Sequence, residues 1–241
     1  MWARAETTWM LYDTGDWDDV IAATDEVTAW VEAGGTTSTA AVALPFKSRV
    51  HLLRNNVAAS GQTIQEYLPK VRRIGDAQLL APLLITAAMW ELTAKNTTRA
   101  VQLANEFVEV SGDVPVYICW QLPDAARIFV AADQTETLRR ILDRIRPGLT
   151  RDRYAVAAGR AALNEAQGNL EEGLRAYVEA AANWEAFSMP LEQGHSLFGA
   201  GRCLAALGRK EEAAKHLESA RELFGSLGAL PLVAEVDAVI P

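Results

Sequence analysis

The sequence predicts an all-α fold, a right-handed α-solenoid of about six antiparallel helix pairs closed by a C-terminal capping helix. The first observation is an internal repeat, in which AAGRAALNEAQGNLEEGLRAYVEAA near residues 157–181 recurs as GAGRCLAALGRKEEAAKHLESA near residues 199–220. The second is a series of turn signals spaced by tens of residues, and the third is that strand-like alternation never persists. Units that repeat at such a period bury their apolar faces against their neighbours, as in α-solenoids.

Turn residues divide the chain into elements and predict a single helical-repeat domain over residues 1–241. The centres of successive helix pairs are predicted near Gly15, Gly61, Asn96, Asp133, Gly168 and Gly208. The breaks between pairs are predicted at Gly34-Gly35, Gly75, Gly112-Asp113, Pro147-Gly148 and Met189-Pro190. These positions suit helix ends because Gly adopts the left-handed conformation there and Pro is tolerated in the following first turn.

Local patterns support individual helices. Asp16 and Asn169 are each followed by acidic residues, which predicts a capping box at the start of the second helix of their pairs. Residues 231–240 carry one apolar stripe at helical spacing, which predicts the capping helix. The apolar stretch from Leu79 to Trp90 is shorter than the roughly 20 residues of a membrane helix, so we expect a buried helix.

Composition narrows the function classes. The net charge of −8 argues against a nucleic-acid-binding surface, which is normally basic, so we expect no direct nucleic-acid partner. Cys119 and Cys203 lie in apolar helical contexts, where buried reduced cysteines are the simplest interpretation. The N-terminal residues MWARAETTWMLYDTGDW carry charges where the apolar part of a secretion signal would lie. We therefore expect a cytoplasmic protein without a membrane partner.

The last repeat resembles the tetratricopeptide pattern. Small residues lie where its two helices would cross, and large apolar residues fill the space between them. The matching residues are Leu197, Ala200, Gly201, Leu204, Gly208, Ala213, Leu217 and Ala220. The repeat before it matches less well, since Gly173 stands where Ala is usual, and the earlier repeats match only in outline.

Residues 150–240 also resemble the C-terminal helical-repeat region of bacterial STAND-class regulators, the LuxR-type and adenylate-cyclase-associated ATPases. The resemblance is carried by RYAVAAGRAALNEAQGNLEEGLRAYVEAAANW and LGRKEEAAKHLESARELFGSLGALPLVAEVDAV. It implies a sensor or docking arm beside a nucleotide-binding switch, in signal transduction or transcription regulation. The sequence departs from those proteins because it contains no G-x-x-x-x-G-K-[ST] phosphate loop, so the chain is either a fragment or a stand-alone relative.

Chemical motifs are sparse, so the sequence predicts no enzyme, no catalytic residue, no metal site and no cofactor. His51, His195 and His216 lie in different repeats without a ligand partner at metal-binding spacing. The acidic residues that follow predicted turns are explained by helix capping and by the positive end of the helix dipole.

Seven tryptophans in a chain with 7% aromatic residues suggest a binding surface. In tetratricopeptide arrays the first helix of each pair lines the concave face, and we project that arrangement onto this sequence. The predicted concave-face residues are Trp2, Trp9, Tyr12, His51, Asn55, Trp90, Trp120, Arg127, Phe198 and Arg202. An aromatic groove with two guanidinium groups suits a peptide, a partner helix or a flat ligand. The alternative is that these tryptophans fill the core, as we expect for Trp17, Trp30 and Trp184.

These observations predict a non-catalytic protein-interaction or sensor module that binds a partner on its concave face. The expected partner is a protein or peptide, and a nucleotide-binding domain of the same parent chain is one candidate. The alternative is a small-molecule effector site enclosed by the superhelix, which a closed aromatic cavity would favour over an open trough.

Overall fold

The computed structural model describes residues 1–112 and 114–240, which form thirteen α-helices and no β-strand. The chain divides into two compact units, residues 1–112 and 113–241. The first contains α1 (Trp2–Thr14), α2 (Trp17–Glu32), α3 (Thr37–Leu53), α4 (Val57–Ile74), α5 (Ala77–Thr93) and α6 (Thr97–Ser111). The second contains α7 (Pro115–Ala131), α8 (Thr135–Arg144), α9 (Thr150–Ala166), α10 (Leu170–Ala186), α11 (Pro190–Ala206), α12 (Lys210–Leu227) and α13 (Leu230–Asp237).

Each of the six helix pairs turns through one residue with a positive φ. These residues are Gly15, Asn55, Lys95, Asp133, Gly168 and Gly208. Five of the six lie at or next to a predicted pair centre, because a left-handed residue is what ends one helix and directs the chain into the next.

The second pair differs from the prediction, which placed its centre at Gly61. That glycine lies inside α4, and the turn is made by Asn55, with a φ of 62°, followed by Asn56. The Asn56 side chain caps α4 by accepting a hydrogen bond from the Ala59 amide at 3.4 Å. Asn tolerates the left-handed conformation, so no glycine is needed here. Gly61 instead makes room for Trp90, since a Cβ on it would lie 2.7 Å from the indole nitrogen.

In unit 1 the core lies between consecutive helices. The first helices of its pairs form a series, with α3 packed against both α1 and α5. Residues Leu79 to Ala88 of α5 are almost all buried, which confirms the buried helix predicted from this apolar stretch. Trp17 is buried at the start of α2, as expected, whereas Trp30 is 38% exposed and lies over Gly35.

In unit 2 the helices pack closely through glycines. A Cβ on Gly199 of α11 would lie 2.4 Å from the Tyr177 ring, and one on Gly201 would lie 2.6 Å from Leu217. Trp184 is fully buried on α10, as expected. The closing helix α13 packs on α12 but ends at Asp237, earlier than the predicted residue 240.

Two predicted capping boxes are wrong in detail. Asp16 and Asn169 do precede α2 and α10, but neither side chain bonds to the first turn of its helix. Asp16 instead accepts a hydrogen bond from the Thr14 hydroxyl at 2.6 Å. Asp18-Asp19 and Glu171-Glu172 do lie in the first turns of α2 and α10, where their negative charge complements the positive end of each helix dipole.

Cys119 and Cys203 are buried free thiols, as the sequence suggests. None of the helices in the described part of the chain combines the length and the apolarity that crossing a lipid bilayer requires.

Candidate partner-binding surface

The strongest polar feature of unit 2 is an ion-pair network centred on Arg127 of α7. Its guanidinium group donates two hydrogen bonds of 2.8 Å to the Glu192 carboxylate on α11 and one of 2.6 Å to Asp124. The two carboxylate side chains are only 10% and 9% exposed. Although burial acts to lower it, these carboxylates hold the pKa of Arg127 above its usual range. The guanidinium group is therefore permanently charged and held in place.

The Arg127–Glu192 contact joins two helices that are not consecutive in the chain. Helix α9 packs against both α7 and α11. Arg127 and Glu192 can therefore meet although they are 65 residues apart in the chain.

A second network joins α9, α10 and α11. Arg202 donates to both oxygens of Glu165 at 2.6 and 2.8 Å, and the Tyr177 hydroxyl donates to the same carboxylate at 2.7 Å. Burial, and then the Glu165 charge, raises the pKa of Tyr177 well above its usual value. The Arg202 guanidinium lies 4.4 Å from the centre of the Phe198 ring. Phe198 is only 4% exposed, so it supports Arg202 from below and is not the open groove residue that was predicted.

His195 and Glu235 complete the set of ionisable groups. Burial, reinforced by the positive charges of Arg127 and Arg202, lowers the pKa of His195 well below its usual value. Its ring contacts Phe224 edge-on at 5.2 Å between centroids. On α13, neighbouring atoms partly desolvate the Glu235 carboxyl and raise its pKa, against the opposing effect of the two arginines, while the residue as a whole stays exposed. The polar cluster, as we call it, consists of Asp124, Arg127, Glu165, Glu192, His195, Arg202 and Glu235.

The remaining predicted residue of unit 2, Trp120, is half-buried on α7, seven residues before Arg127. The Arg151 guanidinium lies over its indole ring, 5.8 Å from the centroid. This cation–π contact holds the ring against the start of α9.

In unit 1 the predicted residues of α1 have different environments. Trp2 is 47% exposed and Trp9 is half-buried, and their spacing of seven residues puts them on one side of the helix. Tyr12 is a correction, because it is only 5% exposed. Its ring stacks on Trp17 at 5.9 Å and contacts Phe46 at 5.7 Å, so it belongs to the core.

The other three predicted residues of unit 1 lie on α3, in the turn that follows it and on α5. His51 is half-buried on α3, and burial is the main reason that its pKa is lowered. Asn55 is the turn residue described above and lies outside the first helix, which corrects its predicted place on a groove. Trp90 is half-buried against Gly61, where its ring fills a close contact between α5 and α4.

Sequence reasoning missed the acidic half of the polar cluster. Asp124 and Glu192 are separated by most of unit 2, and Glu165 lies in the repeat between them. The Asp124–Arg127 spacing of three residues on one helix is a usable signal, because such pairs face each other.

Across residues 1–112 and 114–240, no group of three or more His, Cys, Asp or Glu side chains is arranged to hold a metal ion.

Comparison with known proteins identifies the fold. No protein-family model and no curated protein matches the chain. The crystal structure of a Rap protein complexed with competence and sporulation factor is similar, with a TM-score of 0.60 at 14% sequence identity. The match covers 98% of this chain and 70% of the Rap chain. The chain therefore has a tetratricopeptide-like helical-repeat fold, an all-α solenoid of helix pairs with a closing helix.

Proposed function

We propose that this chain is a non-catalytic protein-interaction or sensor module that binds a protein or peptide partner on the concave face of its repeats. The observation that carries the proposal is the polar cluster, in which α7 and α11, both first helices of their pairs, contribute Arg127, Glu192 and Arg202. Buried ion pairs contribute little net stability compared with apolar side chains of similar size. Ion pairs that link first helices of different pairs therefore support a role in recognition.

Unit 1 offers its own candidate contact surface, the aromatic side of α1. Trp2 and Trp9 offer large rigid side chains of the kind that anchor protein interfaces. Both lie on the same side of α1, where Trp2 is exposed and Trp9 is half-buried.

The specific biological role that we propose is signal transduction or transcription regulation in the bacterial cytoplasm. It is supported by the resemblance of residues 150–240 to STAND-class regulators and by the fold shared with a Rap protein that is complexed with a factor. On this proposal, the partner is a protein or peptide, with a nucleotide-binding domain of the same parent chain as one candidate.

Site-specific photocrosslinking tests the proposal. A photoreactive amino acid replaces Trp2, and a matched control replaces Val178 on α10, a second helix, where exposure is comparable at 44% against 47%. We expect crosslinked partner from position 2 and little from position 178. Equal crosslinking from both positions would contradict binding on the first helices.

The alternative is a small-molecule effector site, which the partly desolvated His195 and Glu235 of the polar cluster favour. His195 and Glu235 both have pKa values shifted towards their neutral forms by desolvation. Native mass spectrometry of the purified protein, compared with its denatured mass, distinguishes the two proposals. A retained compound that is lost in a His195→Leu variant supports the effector site, whereas an unliganded mass favours the protein partner.

A further inference from the structure

The densest group of basic residues in the chain lies around the junction of α8 and α9. Residues 136–160 contain seven arginines against three acids, a net charge of +4 in a chain whose total is −8. All of these arginines except Arg151 are exposed. We define the arginine patch as Arg139, Arg140, Arg144, Arg146, Arg153 and Arg160.

Packing fixes the arginine patch on one corner of unit 2. Leu138, Ile141 and Leu142 bury the opposite side of α8, which leaves its arginines facing outward. Arg160 of α9 contacts the end of α8, with its guanidinium 3.5 Å from both the Leu142 carbonyl oxygen and the Asp143 carboxylate. Arg160 therefore lies at the C-terminal end of α8.

The segment between the helices is held in place by a buried carboxylate. One oxygen of Asp152 accepts hydrogen bonds from the Gly148 and Leu149 amides at 3.2 and 3.0 Å. This arrangement positions Leu149, which is 56% exposed, between Arg146 and Arg153 in the chain.

Several of these arginines bond to neutral oxygen atoms, which leaves their charge available to a partner. The acceptors are the Thr137 hydroxyl for Arg140, the Thr150 hydroxyl for Arg153, and the Asp143 and Ile145 carbonyls for Arg146. Two other patch arginines lie near carboxylates, Arg139 at 3.6 Å from Glu136 and Arg160 at 3.5 Å from Asp143. Exposed arginines of unit 2 outside the patch bond to carboxylates at shorter distances. These pairs are Arg175–Glu172, Arg209–Glu212 and Arg221–Asp237.

We propose that the arginine patch docks an acidic polypeptide segment of a partner protein, one that carries carboxylates and at least one apolar side chain. Guanidinium groups recognise carboxylates with matched fork geometry, and the exposed Leu149 offers an apolar contact that a phosphate backbone would not use. Glu136 and Asp143 interrupt the patch, and the chain as a whole is acidic, so a long polyanion is repelled. This surface is separate from the polar cluster and does not depend on the proposed concave-face partner.

The test measures binding of a fluorescent peptide of alternating Glu and Leu residues to the full chain by anisotropy. The triple variant Arg140→Gln, Arg146→Gln, Arg153→Gln is compared with the control Arg175→Gln, Arg209→Gln, Arg221→Gln, which removes the same charge from carboxylate-paired sites. We expect the patch variant to bind roughly tenfold more weakly than the control, from three exposed charge contacts. Leu149→Ser should weaken peptide binding several-fold further. Circular dichroism checks that each variant is folded.

Two controls define the partner class. Binding of duplex DNA and of vesicles containing phosphatidylserine to the same variants is measured at low and at physiological salt concentration. Equal loss in the two triple variants, no measurable binding of the peptide, or tighter patch-dependent binding of DNA or vesicles would each overturn the proposal.

Discussion

At the residue scale, the Arg127 ion-pair network makes the sharpest stability prediction. Replacing Arg127 with Met leaves the Glu192 and Asp124 carboxylates buried together without their cation. We expect a loss of about 3 kcal/mol in the free energy of unfolding, because an uncompensated buried charge is strongly destabilising. Urea denaturation followed by circular dichroism measures it.

The control is Arg209→Met, which breaks an exposed pair with Glu212 at the surface. Exposed pairs are screened by solvent and contribute little, so its unfolding midpoint should stay near that of the wild type. If both variants unfold at the same urea concentration, the Arg127 network is not the buried structural element described here.

His195 gives a pH prediction at the same scale. Its pKa is lowered in the folded protein, while the unfolded chain titrates near the ordinary value of about 6.5. Below that pH the unfolded state binds a proton that the folded state does not, so stability is retained above about pH 6.5 and falls as the pH decreases towards the folded pKa. The limiting slope is about 1.4 kcal/mol per pH unit.

The measurement is urea denaturation between pH 8 and pH 5, for the wild type and for His195→Gln. Subtracting the two curves of unfolding free energy against pH removes the contribution of the carboxylates that titrate in both proteins. The difference should grow as the pH falls below 6.5, and a difference that stays constant with pH would show that His195 is not held neutral by its surroundings.

At the element scale, glycines decide how closely the helices of unit 2 approach. We predict that Gly199→Ala destabilises the protein, because the new Cβ would lie 2.4 Å from the Tyr177 ring, which is itself held by its bond to Glu165. Overpacking of this kind costs about 1–3 kcal/mol. Gly225→Ala on α12 is the matched control, since no atom lies within 4 Å of its added Cβ. There the better helix propensity of Ala should stabilise the fold by up to about 1 kcal/mol.

Thermal unfolding of the two variants measures this contrast directly. Opposite shifts in Tm are expected for the same chemical change on neighbouring helices. A stabilised Gly199→Ala variant would mean that α10 and α11 can separate at little cost.

The elements were predictable because turn chemistry and apolar periodicity are local. The exception, Gly61, shows the limit of this reasoning, since a glycine serves a turn and a close helix contact equally well and the sequence does not distinguish them. The prediction of the binding surface was wrong at Tyr12 and Phe198 for a related reason. Both residues lie on first helices, but a shift of one residue along a helix decides whether a side chain faces outward or into the core. The polar cluster depends on Arg127 of α7 reaching Glu192 of α11, a non-local contact that spacing alone does not reveal.

At the scale of the whole molecule, the division into two compact units leads to a prediction about folding. Repeat proteins are held together by interactions between neighbouring units, so a segment with its own core can fold alone. Residues 113–241 contain fully buried Phe129, Trp184 and Phe224, together with the ion pairs of the polar cluster. We expect this fragment to be helical and to unfold cooperatively, as measured by circular dichroism during heating.

The Gly199→Ala substitution provides an internal check on that fragment. Its contact with Tyr177 lies entirely inside unit 2, so the loss of stability should be the same in the fragment and in the full chain. An unfolded fragment would show that the two units fold only as one body. A folded fragment that tolerates Gly199→Ala would show that the packing of α10 on α11 depends on residues 1–112.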